Sequence, residues 1–121
     1  MAKSKILVET LQDVTVVTFT DSSILEALVI QQIGEEIYKL VDEQAKRKLV
    51  LDFSRVRFMS SQALGMLINL RKKCQAIKGE LIFCAVQPEI QKVFKIMNLT
   101  KIFKFVPSER DALAEFGVFE S

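Results

Sequence analysis

"KLVLDFSRVRFMSSQALGMLINLRKKC", residues 48–74, decides the fold. It opens on Leu49, Val50 and Leu51, an apolar run without alternation, as in a strand covered on both faces. It closes on Ala63, Met66, Leu67, Leu70 and Cys74, apolar positions at helical spacing that, with Ile77, make one core-facing strip. A buried strand leading into an amphipathic helix is half of a β-α-β unit, so the sheet should be largely parallel.

The pattern repeats downstream. The spacing predicts a helix over 62–78 closed by Gly79, then a buried strand "ELIFCAV". "QPEIQKVFKIMN" follows as a short helix with Pro88 in its first turn and Ile90, Val93, Phe94 and Met97 inward. "KIFKFV" is a last strand, and "SERDALAEF" a terminal helix capped by Ser108. Upstream, "KILVETLQDVTVVTFT" reads as two strands turning at Gln12 and Asp13, rich in β-branched residues. Ile30, Ile33, Ile37, Leu40 and Val41 then mark a long helix whose start, between Leu25 and Ile30, stays open. The order is β-β-α-β-α-β-α-β-α: one α/β domain over residues 1–121, with a mixed, mostly parallel sheet of about five strands.

Composition removes several functions. The net charge is +2, and the basic and acidic residues number 8 and 9 in the first sixty positions and 9 and 6 in the rest. That tilt is too mild for a nucleic-acid binder. There is no histidine, which removes His-based triads and His metal sites, and the four glycines are too isolated for a phosphate loop. Cys74 and Cys84 sit in apolar stretches and read as buried thiols in a reducing compartment. No metal, cofactor or enzymatic activity is expected. No apolar run is long enough to span a bilayer, and "MAKSKILVETLQDV" turns polar too soon for a secretory signal. The expected compartment is the cytoplasm. Asp52, at the end of its strand, could face a ligand at the sheet rim or simply cap the next turn.

The serine pair Ser60–Ser61 falls at the first turn of the central helix, where one N-cap is needed. Ser60 is assigned the cap, leaving Ser61 as a candidate phospho-acceptor. Beside it lie Leu64, Gly65, Ile68, Asn69 and Lys72, either a docking strip or, for Leu64 and Ile68, the margin of a wide core face. A mid-helix glycine such as Gly65 usually marks close approach by something.

"LVLDFSRVRFMSSQALGMLINL" resembles the core of STAS domains, the family of bacterial anti-sigma factor antagonists, whose pattern is an apolar strand ending in Asp, then roughly S-x-V-x-F-M-D-S-S-G-L-G-x-L. The likeness runs from about 46 to 117, and loosely over the N-terminal hairpin. It implies a non-enzymatic protein that binds an anti-sigma factor acting also as a serine kinase. Phosphorylation would switch it off, and a serine phosphatase would restore it. The acceptor position falls on Ser61, with Ser60 as the alternative. Leu64 and Gly65 match the pattern, whereas Ser60 stands where it has aspartate and Ala63 where it has glycine. Asp21 aligns with the family's early loop, so the implied partner surface is Asp21, Ser60, Ser61, Leu64, Gly65, Ile68, Asn69 and Lys72. Two other readings stand beside this one: an unphosphorylated STAS scaffold, and a small enzyme or nucleotide-binding domain using Asp21 and Asp52.

Overall fold

A computed structural model describes residues 5–119. Strands β1 (Ile6–Leu11) and β2 (Val14–Phe19) form the expected antiparallel hairpin, with Gln12 in the left-handed conformation at its turn. After β3 (Ser23–Ile24) comes α1 (Ala27–Asp42), then β4 (Lys48–Asp52), β5 (Phe58–Met59) and α2 (Ser61–Ala76). The chain continues through β6 (Glu80–Cys84), α3 (Pro88–Ile96), a 3-10 turn at Leu99–Lys101, β7 (Lys104–Val106) and α4 (Glu109–Glu115). The main sheet runs β1-β2-β4-β6-β7, and every pairing after the hairpin is parallel.

The period-2 alternation divides this sheet into two unequal faces. Val17, Phe19, Leu49, Leu51 and Phe83 point to the side covered by α1, α2 and α3. There Phe53, from the loop after β4, packs its ring 4.9 Å from Phe19 and 5.1 Å from Phe83. Val14, Val16, Val50, Ile82 and Cys84 point to the other side, where Ala112, Leu113 and Val118 cover them. Most of the burial, and so most of the hydrophobic stabilisation, lies on the three-helix side.

Several local expectations are corrected. Two strands of two residues, β3 and β5, stand outside the expected element order, and they pair in parallel as a second small sheet. The central helix is Ser61–Ala76, and its left-handed closing residue is Lys78. Gly79 is needed for another reason: a Cβ there would stand 2.7 Å from the Arg47 carbonyl oxygen. Of "KIFKFV" only Lys104–Val106 is strand, because the preceding 3-10 turn takes up Lys101. Met97 is exposed, not inward, since α3 ends at Ile96 and the chain reverses through Asn98 in the left-handed region. Ser108 caps α4 as expected, accepting from the Asp111 N–H at 3.2 Å.

Candidate functional site

The entrance to α2 is held in place by backbone bonds. The Arg57 and Phe58 N–H groups both donate to the Ser22 carbonyl, at 2.8 and 3.0 Å, and the Ser60 N–H donates to the Ile24 carbonyl at 3.1 Å. This small sheet explains why the chain turns into the helix where it does. Ser60 has extended backbone angles, φ −85° and ψ 165°, and its Oγ accepts from the Ala63 N–H at 3.3 Å. That is an N-cap, and it satisfies one of the free donors of the first turn. Ser61 is the first helical residue and is exposed. Its hydroxyl makes no hydrogen bond to any described residue. No carboxylate lies in the first turn of α2, so an anion there would meet the helix dipole and free N–H groups unopposed.

Along the outer side of α2, Gln62, Gly65, Asn69 and Lys72 are exposed and Ile68 is half-buried against the core. Leu64 is corrected: it is buried, at 3% exposure, and belongs to the core. The helix packs on β6 below and, through Met66, on α1 alongside, and Leu64 lies on the flank of its apolar face away from Met66. At Gly65 no atom of another element lies within 4 Å of where its Cβ would be, so nothing among the described residues makes the close approach that a mid-helix glycine marks.

A groove runs between α1 and α2, with Ile30, Gly34 and Tyr38 on one wall and Gly65, Met66 and Asn69 on the other. The helices meet closely below it: a Cβ at Gly34 would stand 3.1 Å from Met66 Cγ, and the Tyr38 hydroxyl donates to the Met66 carbonyl at 3.0 Å. Burial pushes the Tyr38 pKa up, against a hydrogen bond with Asn69 that pulls it down. Lys73 pairs with Asp42 at 2.8 Å and sits 5.0 Å from the Tyr38 ring centroid.

The acidic candidates are engaged elsewhere. Asp52 is buried, and its Oδ1 accepts from the Ser54 N–H at 2.8 Å, which is the capping role. Asp21 lies in the loop before β3 and pairs with Lys5 at 3.2 Å. The β3–β5 pairing runs that loop alongside the approach to Ser60. Cys74 and Cys84 are free and buried. Desolvation pushes Cys74 up to about 11. Cys84 goes up to about 12, by desolvation first and the Asp52 and Glu109 charges second. Both are inert thiols at neutral pH. Among the described residues no group of His, Cys, Asp or Glu could hold a metal ion, and no helix is long and apolar enough to cross a membrane.

Sequence reasoning missed an apolar fringe around the α2 entrance. Leu25, Leu28 and Phe58 are all exposed, Leu28 at 80%. Leu25 and Leu28 fall three residues apart where β3 gives way to α1, and the β3–β5 pairing sets Phe58 opposite Ser23, two residues before Leu25. Their signal in the sequence was Leu and Phe in stretches too polar to be strands.

Comparison with known proteins points one way. A family model, the STAS domain, matches residues 5–112. The BtrV protein of Bordetella bronchiseptica, described as an anti-sigma factor antagonist, is 31% identical over 86 residues, 71% of this chain and 73% of its own length. The crystal structure of an anti-sigma factor antagonist from Mycobacterium paratuberculosis superposes with a TM-score of 0.81 at 26% identity, over 93% of each chain. The phosphorylated form of the Bacillus cell fate determinant SpoIIAA shares the fold: its TM-score is 0.73 at 20% identity, over 92% of this chain and 98% of its own.

Proposed function

The chain belongs to the STAS domain family, among anti-sigma factor antagonists, and from that premise we propose that it binds an anti-sigma factor that is also a serine kinase. Phosphorylation of Ser61 by that kinase ends the interaction, and a serine phosphatase restores it. One observation carries this reading: the two adjacent serines have separate tasks, Ser60 holding the helix cap and Ser61 presenting an exposed hydroxyl with no partner among the described residues. The surface offered to the kinase is Ser61 with Ser60, Gly65, Ile68, Asn69 and Lys72 along α2, flanked by the loop of Asp21 and by Leu25, Leu28 and Phe58.

Phosphorylation adds about −1.5 to −2 charges and three acceptor oxygens. At the first position of a helix the free N–H groups and the dipole accommodate that anion, so the domain stays folded. The docked partner is what suffers, through bulk, desolvation and the loss of an apolar fit. The antagonist supplies no catalytic group of its own to this cycle.

The test is a titration with the serine kinase that co-purifies with the chain from its host. Ser61→Ala should bind as the wild type does, and Ser61→Asp about tenfold or more weaker. A second reading, an unphosphorylated STAS scaffold, is favoured by Ser60, which occupies the position of the family aspartate. Under it, Ser61→Asp binds the partner unchanged.

A further inference from the structure

We propose that the groove between α1 and α2 receives one aliphatic side chain of the docking kinase, and that residue 65 is glycine to leave room for it. The inference rests on the reading that a protein partner docks beside Ser61, and it specifies how.

Glycine inside a helix weakens it relative to alanine, so the missing side chain needs a reason. Two reasons arise within a fold: a left-handed backbone or an atom too close for a Cβ. Gly79 has the second, with Arg47 backbone 2.7 Å from its would-be Cβ, and Gly34 has it more mildly, with Met66 at 3.1 Å. Gly65 has neither. It is exposed, its backbone is helical, and open space surrounds the position of its Cβ. Among the described residues the vacancy at 65 serves nothing, which leaves a body outside the chain.

The surroundings say what kind of body. Gly65 opens onto a groove of about 480 Å³ walled by Ile30, Met66 and the Tyr38 ring. Its rim is mostly uncharged amide, from Gln31, Gln62 and Asn69, and its one carboxylate, Glu35, accepts a 3.4 Å bond from Gln31. An apolar floor within a rim of amides suits an aliphatic anchor whose own backbone hydrogen-bonds at the edge. The groove is also preformed, since the Gly34–Met66 contact and the Tyr38–Met66 hydrogen bond fix the spacing of its walls.

Position fixes the occupant as the protein that reads Ser61. Residues 61 and 65 are four apart on one helix and share a face. Side chains on a helix lean toward its N-terminus, so any side chain at 65 would tilt over the groove mouth toward Ser61. One partner, seated on that face, would reach both.

The experiment uses the full chain, unphosphorylated, and the serine kinase that co-purifies with it from the host. Wild type, Gly65→Ala, Gly65→Leu and Ala76→Leu are each melted and then titrated with the purified kinase. Ala76 is the control, exposed on the same helix three turns away. Gly65→Ala should melt slightly above the wild type, because alanine favours the helix. Gly65→Leu should melt no lower than the wild type yet bind the kinase about tenfold or more weaker, with Ala76→Leu binding normally. Wild-type affinity in Gly65→Leu overturns this inference alone. No binding by the wild type overturns both it and the functional reading. A concentration-dependent dimer of the free chain, lost in Gly65→Leu, overturns the inference by assigning the groove to a second copy.

Discussion

At its C-terminal end α2 is closed by the fold itself. Lys78 takes φ 59°, the Gly79 N–H reaches back to the Cys74 carbonyl at 2.7 Å, and the Arg47 backbone leaves no space for a side chain at 79. At the other end, Ser60 satisfies the helix, and beyond it the hydroxyl of Ser61 and the vacancy at Gly65 meet nothing inside the described residues. Each end has a glycine. One is read from inside the chain, the other from outside it. The difference separates residues that the fold demands from residues it merely tolerates, and the second set is where a partner acts.

The two buried thiols, Cys74 beside the closed end and Cys84 paired with Asp52 at the other rim of the sheet, should make the fold weak in alkali, and this is the largest effect expected. Burial pushes Cys74 up to about 11 and Cys84 up to about 12, from an ordinary 9.0. The native state therefore keeps protons that the unfolded chain sheds. The stability this provides is complete below pH 9 and is lost as the pH rises through 11 and 12. Urea midpoints should fall across that window, and Cys74→Ala, less stable at neutral pH, should fall less steeply. Equal slopes would remove Cys74 from the account.

Next is a matched pair. Gly79→Ala should cost about 1–3 kcal/mol in urea unfolding, because Arg47 backbone must move. The same substitution at Gly65 should instead stabilise by about 0.5–1 kcal/mol. A loss at both positions would erase the contrast between the two ends.

The serines divide in the same way on a smaller scale. Ser60→Ala should cost about 1 kcal/mol through the lost cap, whereas Ser61→Ala should stay within about 0.5 kcal/mol. Equal losses would mean that the cap is shared.

The main architecture was legible because β4 is an unbroken apolar run while α2 carries a clear helical period, and because "ELIFCAV" repeats the β4 pattern. The Ser60 cap was legible from residue type and position alone. Leu64 was legible only as one of two alternatives, because a residue at the margin of a helix's apolar face is buried or exposed according to what packs beside that flank. The strands β3 and β5 were not legible: two-residue strands have no period to read, and their pairing is a matter of backbone bonds. The reason for Gly79 was hidden likewise, because Arg47 reaches it only once β4 and β6 pair. Contacts distant in the chain and made by backbone are what a sequence pattern conceals, and they gather the apolar fringe around Ser61.

The central claim, that Ser60 serves the fold and Ser61 serves the partner, is tested most directly by phosphosite mass spectrometry. The chain would be incubated with ATP and the serine kinase that co-purifies with it, in wild-type, Ser60→Ala and Ser61→Ala forms. The account predicts a single phosphate on Ser61 in the wild type and in Ser60→Ala, and none in Ser61→Ala. A phosphate on Ser60, or none on the wild type from a kinase that binds it, would contradict the claim.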